Sequence, residues 1–191
     1  NKTYDNGQFF NYDFFKSTVS DTSLLSTNYA LRQSLFFNQS ATVFGMDYTF
    51  LNNKNKQLLL NGFDSRDNFS HEVRIRLNFL KAWSFLSNNS GGYKTYNSQF
   101  FAARNYKIEF YDTEQKLSYQ PSTAFRLSLI YKYTQKQNLM IGGFQKALLS
   151  DYALEMRYNQ SEKGSLNVRA DFLTILYNDV ESSPVAYEML N

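Results

Sequence analysis

The sequence predicts an all-β protein, an antiparallel up-and-down meander of about ten long strands. Three observations predict it. Apolar and polar residues alternate one by one over several long segments. Clusters of Asn, Ser, Gly and Pro separate those segments. The chain is also rich in aromatics, with 18 Phe and 15 Tyr among 191 residues, yet its mean hydropathy is −0.51. Interleaving explains that combination, because apolar and polar residues cancel in the mean while each sheet face stays uniform.

Taken in order, residues 1–28 stand apart as an aromatic-rich extension. Phe9, Phe10, Tyr12, Phe14 and Phe15 crowd among Asn and Asp without a steady period. Residues 17–28 read as a polar loop or a short helix capped by Ser20 or Asp21. The meander is expected over 29–191. Weak alternations at 29–38 and 42–51 come first. Asn52-Asn53-Lys54-Asn55 then reads as a hairpin, since Asn tolerates positive φ. After a polar connection at 64–70, Val73, Ile75, Leu77 and Phe79 alternate with Arg74, Arg76 and Asn78.

A short turn at 79–82 leads into 83–88. Asn88-Asn89-Ser90-Gly91-Gly92 reads as a flexible tip within a polar connection at 87–99. Shorter strands follow at 106–111 and 115–119. Gln120-Pro121-Ser122 closes a turn, because Pro cannot sit inside a central strand. Phe125, Leu127, Leu129, Tyr131 and Tyr133 then alternate with Arg126, Ser128 and Lys132. A long connection is expected at 134–150. Tyr152, Leu154, Met156 and Tyr158 form the next strand. Glu162-Lys163-Gly164 joins it by a tight hairpin to Leu166, Val168, Ala170 and Phe172. Strands of roughly 9–12 residues exceed the usual ~5–6 and match the ~9–11 that cross a bilayer.

Composition excludes several classes. Aromatic content is too high for a disordered chain. No stretch approaches the roughly 18 apolar residues of a spanning helix. With no cysteine there is no disulfide framework. The net charge of +3 comes from scattered residues, which is no nucleic-acid footprint. Alternating strands still admit two packings. In a soluble sandwich the apolar face points inward, whereas in a membrane barrel it meets lipid and the polar face lines the interior. Strand length, mixed charges on the polar side and aromatics near strand ends (Tyr106, Phe110, Tyr131, Tyr133, Tyr158, Tyr177) favour a transmembrane barrel or part of one. A single Trp, Trp83, counts against it.

Asp13-Phe14-Phe15-Lys16-Ser17, Ser20-Asp21-Thr22-Ser23-Leu24-Leu25 and Leu31-Arg32-Gln33-Ser34-Leu35-Phe36-Phe37-Asn38 resemble a stretch of large surface and outer-membrane proteins of the Bacteroidota. Met156-Arg157-Tyr158-Asn159, Lys163-Gly164, Ser183-Pro184 and Tyr187-Glu188-Met189-Leu190 fit the same pattern. These are strand and turn motifs, not catalytic signatures. The resemblance implies an exported cell-envelope protein. In such relatives further hairpins follow and the chain ends on an aromatic residue, so this chain is expected to be a fragment of a longer one.

Catalytic chemistry finds little footing. His71 is the only histidine, and its neighbour Ser70 points to the opposite face of a strand. Asp64-Ser65-Arg66-Asp67-Asn68 lacks the spacing of a calcium loop. Two carboxylate pairs, Glu109 with Asp112 and Glu155 with Asp171, are candidates for glycoside hydrolysis. Arg157 and Arg169 beside the second pair make cross-strand ion pairing the plainer reading. Gly91-Gly92 and Gly142-Gly143 lack phosphate-loop context.

The expectation is therefore a non-catalytic outer-membrane barrel component of a Gram-negative envelope, without cofactor or metal. Its partners would be outer-membrane lipid and other envelope proteins. Arg74, Arg76, Arg126, Lys132, Glu155, Arg157, Arg169 and Asp171 would form an interior polar face. Phe9, Phe10, Phe14 and Phe15 would dock a partner or belong to a first strand that covers the sheet. The alternative is a soluble surface-exposed sandwich that binds glycan or protein.

Overall fold

The structure, a computed structural model, describes residues 2–4, 24–60, 62–160, 163–180 and 183–190. They form one antiparallel sheet in which every strand neighbours the next in sequence. The strands are β1 (Lys2–Tyr4), β2 (Leu24–Phe37), β3 (Phe44–Leu59), β4 (Gly62–Phe79), β5 (Trp83–Ser98), β6 (Tyr106–Tyr119), β7 (Phe125–Asn138), β8 (Lys146–Gln160) and β9 (Gly164–Tyr177). A single turn of helix, α1 (Ala186–Leu190), follows. The expected meander is present, but it has eight long strands and one of three residues rather than about ten. The sheet is open, with β1 and β9 as its two edges.

The strands run 14 to 18 residues, longer than expected, and this corrects several connections. Asn52-Asn53-Lys54-Asn55 lies inside β3, where Asn53, Lys54 and Asn55 face Asn68, Asp67 and Arg66. Residues 64–70 belong to β4, and 88–92 to β5. The connection expected at 134–150 shrinks to 139–145. The boundary expected after residue 28 falls inside β2. One cause accounts for all of these. Alternation is visible only where one face is apolar. Further along, both faces are polar and no period shows, yet a neighbour on each side still satisfies the backbone donors and overrides turn propensity.

The true turns are short. At one end of the sheet lie 38–43, 80–82, 120–124 and the Lys163 turn, whose N–H donates to Gln160 O at 3.1 Å. Leu80 and Lys81 take φ of 51° and 55°, the left-handed geometry of a primed hairpin turn. At the other end lie 60–61, 99–105 and 139–145.

The sheet curls toward one side, and Gly92 reports it. A Cβ there would run into Phe69 O and lie 2.8 Å from Ser70 Cα, both backbone atoms of β4. Only glycine permits that approach. The concave side also holds what core exists. Ile108, Ile130, Ala147, Ala153, Val185, Ala186 and Met189 are the buried apolar residues among those described. Ile108 and Ala147 pack under Val185 and Met189, with Tyr106, Leu149 and Tyr177 around them.

Candidate functional site

The pairing registers divide the long strands into two faces, because directly opposed residues share a side. On the convex face the side chains are apolar in continuous rows. One row runs Val168, Met156, Leu127, Tyr119, Trp83, Phe79, and the next Ala170, Leu154, Leu129, Leu117, Phe85, Leu77, Phe44. Among the described residues nothing covers them. Phe172 is 68% exposed, Leu129 54% and Tyr152 53%. Rings stack along the rows, with Trp83–Tyr119 centroids 4.7 Å apart, Tyr131–Tyr152 4.9 Å and Phe69–Tyr93 5.0 Å.

Charge on this face obeys a boundary. Its only Asp, Glu, Lys and Arg residues on the long strands are Lys54, Lys56, Asp67, Lys107, Glu109 and Lys146. All sit at the end away from the short turns. Lys146 and Glu109 flank Gln137 in one row, and Lys107, Thr95, Asp67 and Lys54 form the next. Between those residues and the turns at 38–43, 80–82 and 120–124 lies a charge-free band. On β4 it runs from Phe79 to Phe69, about 33 Å at ~3.3 Å per residue, and on β6 from Tyr119 to Tyr111, about 26 Å. A strand tilt of about 40° would leave a height of about 20–25 Å.

The band also holds polar residues, among them Gln33, Gln135, Ser150 and Thr174, and a bonded island that the sequence hid by resembling a loop. Asn89 Nδ2 donates to Ser87 Oγ (2.8 Å), Thr113 Oγ1 to Asn89 Oδ1 (2.7 Å) and Gln115 Nε2 to Thr113 Oγ1 (2.8 Å). The four side chains satisfy one another. His71 sits nearby among Phe50 and Phe69, and shares a 2.6 Å hydrogen bond with Tyr48 Oη through Nδ1. It lies in mid-strand, not at a strand start.

The concave face is polar over the same depth. Register places all eight residues expected to share a polar face, Arg74, Arg76, Arg126, Lys132, Glu155, Arg157, Arg169 and Asp171, on this one side. Charges alternate along rows, as in Asp151, Lys132, Glu114, Asn88, Arg74, Asp47. Lys132 Nζ lies 3.4 Å from Glu114, and Lys116 Nζ reaches over β7 to Glu155 at 3.8 Å. The ion pairing expected across the β8–β9 hairpin runs along each strand instead, Arg157 to Glu155 at 3.3 Å and Arg169 to Asp171 at 2.7 Å. Residues two apart share a face, and arginine spans that gap.

A small partner makes the β7 crossing possible. Ser128 is buried and hydrogen-bonded to buried Ser118 at 2.9 Å. Ser128→Val should cost about 1–3 kcal/mol, because Ser118 loses its partner in a buried place. Chemical denaturation of the folded chain measures it. Further along the strands is a hollow of about 290 Å³ lined by Glu72, Asn88, Asp112, Glu114 and Lys132 among others.

At the far end α1 caps the concave face, a feature the sequence reading missed because five residues carry no periodicity. Lys136 Nζ donates to Glu188 O at 3.0 Å. Burial, with nearby Glu188, pushes the Tyr106 hydroxyl up to about 12. The Val180 N–H and the Gln145 amide hold the Asp179 carboxyl below its usual range.

Of the two carboxylate pairs, only the first separates. Glu109 and Asp112 differ in parity on β6 and project to opposite faces, as do Asp64 and Asp67 on β4. Glu155 and Asp171 share a face, each held by its own arginine. Among the described residues no group of three or more His, Cys, Asp or Glu could hold a metal. Phe9, Phe10, Phe14 and Phe15 lie outside the described residues. No protein-family model, curated protein or solved structure matches the chain.

Proposed function

We propose that this chain forms the wall of a non-catalytic transmembrane β-barrel in a Gram-negative outer membrane, as a component of a transport, secretion or surface assembly. The convex band meets lipid, and the concave face lines the interior. One observation carries this reading: a charge-free apolar face that crosses eight strands and, among the described residues, has no second layer over it. In a sandwich such a face is covered, and an uncovered apolar patch of this extent marks a lipid or protein contact. The rest agrees. Height, aromatic rows and charge-compensated concave side fit the anatomy of a barrel wall. Asn68 Oδ1, Asn88 Oδ1 and Asp151 Oδ1 are buried on the concave side without a protein partner, as a hydrated lining would allow. The motif resemblance to Bacteroidota envelope proteins points to the same setting.

The test is gel migration in detergent. The chain should need detergent to stay dispersed and should run at a different apparent mass unheated than boiled. A monodisperse, folded chain in plain buffer overturns the proposal.

A further inference from the structure

We infer that β2 and β9 pair with each other and close these eight strands into a complete barrel of shear number ten, an inference that rests on the lipid-facing reading above. The open sheet already has the stagger for it. Follow the residues directly opposed across each ladder from the last residue of β2: Phe37, Met46, Ile75, Ser87, Gln115, Tyr131, Tyr152, Phe172. The row lands on Phe172, eight residues beyond the start of β9 at Gly164. β2 and β9 have 14 residues each. Laid end to end as an antiparallel pair they would set Phe37 beside Gly164, so the path would return eight residues away from where it began.

That offset is the shear number, and it fixes tilt. With strands ~4.8 Å apart and ~3.4 Å per residue, eight strands at shear eight tilt by about 35°, at ten by about 41° and at twelve by about 47°. Barrel strands tilt by about 35–45°, so eight and ten both fit. Side chains choose between them. Shear eight sets Arg32 directly against Arg169, like charges in one pair. Sliding by two residues to shear ten sets Arg32 against Asn167 and Arg169 against Ala30. It also sets Tyr29 over Ala170 and Leu31 beside Val168. Both registers keep apolar residues on the convex side. Their even number lets β2 meet β9 antiparallel. β1 pairs with β2 at Leu24, Ser26 and Thr27, so the seam runs over 29–35 against 164–170.

Closure answers a requirement as well. In lipid an open edge leaves a row of backbone groups without partners, and only closed walls avoid this. The described residues after β9 turn onto the concave face as α1. An eight-stranded wall is filled by its own side chains, so the closed form anchors or scaffolds and does not conduct.

The chain has no cysteine, so a paired substitution reads the seam directly. Leu31→Cys with Val168→Cys, folded in detergent and treated with a membrane-permeant oxidant, should link within one chain in most molecules. Leu31→Cys with Ala170→Cys should link several-fold less. Mapping by peptide mass spectrometry distinguishes links within and between chains. Links mainly between chains overturn the inference in favour of a second copy at the edge. Failure to link, or preference for the second pair, overturns it too. If unsubstituted chain keeps its heat-shifted migration in those cases, only the closure is lost. If that migration is absent, the lipid-facing reading itself has failed.

Discussion

Leu129→Arg should lower the stability of the chain folded in phospholipid vesicles by about 2–4 kcal/mol, the cost of a cation at bilayer mid-depth on a barrel wall. Leu129 sits at the centre of the Phe125–Tyr133 apolar run and within a row of wholly apolar neighbours. Gln137→Arg, on the same strand and face but level with Lys146 and Glu109, should cost only about 0–1 kcal/mol. Denaturant titration of the two variants gives the depth profile. An uncovered face in water would give a different result. Leu129 is 54% exposed in the chain alone, and an exposed surface change there costs within about 0.5 kcal/mol. A sandwich core would penalise Leu129→Arg without any lipid present. Loss of stability in vesicles with a steep fall toward Gln137 belongs to the wall of a barrel.

Gly92→Val should be the more damaging of two adjacent glycine changes, costing about 3 kcal/mol or more. The branched side chain would have to displace the Phe69 carbonyl and the Ser70 Cα of β4. Neither can rotate away, because both are backbone in a paired strand. Gly91→Val meets only ordinary contacts, Phe110 O at 3.6 Å and Tyr111 Cδ2 at 3.8 Å, and should remain folded. Circular dichroism and unheated gel migration of both variants check this. Equal tolerance would mean that the sheet does not need its curl at β5.

These two sites also mark what the sequence disclosed. Alternation at Val73–Phe79, Phe125–Tyr133, Tyr152–Tyr158 and Leu166–Phe172 disclosed four strands and put eight charged residues on one side, since side-chain parity along a strand is fixed. It failed wherever both faces turn polar. Asn52 to Asn55 and Gly91-Gly92 look like turns, and only the neighbouring ladders hold them extended. Asn89, Thr113 and Gln115 are flanked in sequence by polar residues only, so their place in the apolar band emerges only from register. The α1 cap was illegible for a different reason. Met189 and Ala186 acquire their role through contact with Ile108 and Ala147, far away along the chain.

The charge boundary on the convex face bears on how such a wall would enter a membrane. Every hairpin arm beyond it, including Lys54, Lys56, Asp67, Lys107 and Lys146, lies on the same side. In a bilayer, three connections at 60–61, 99–105 and 139–145 would have to be carried across together with their ammonium and carboxylate groups, while the short turns stay behind. Moving such groups through hydrocarbon is strongly unfavourable. Spontaneous insertion should therefore be slow, limited by transit of those arms rather than by strand pairing. On the lipid-facing reading the direction of entry would follow too: the ends bearing Phe79 and Trp83 would trail, and the polar tips would lead.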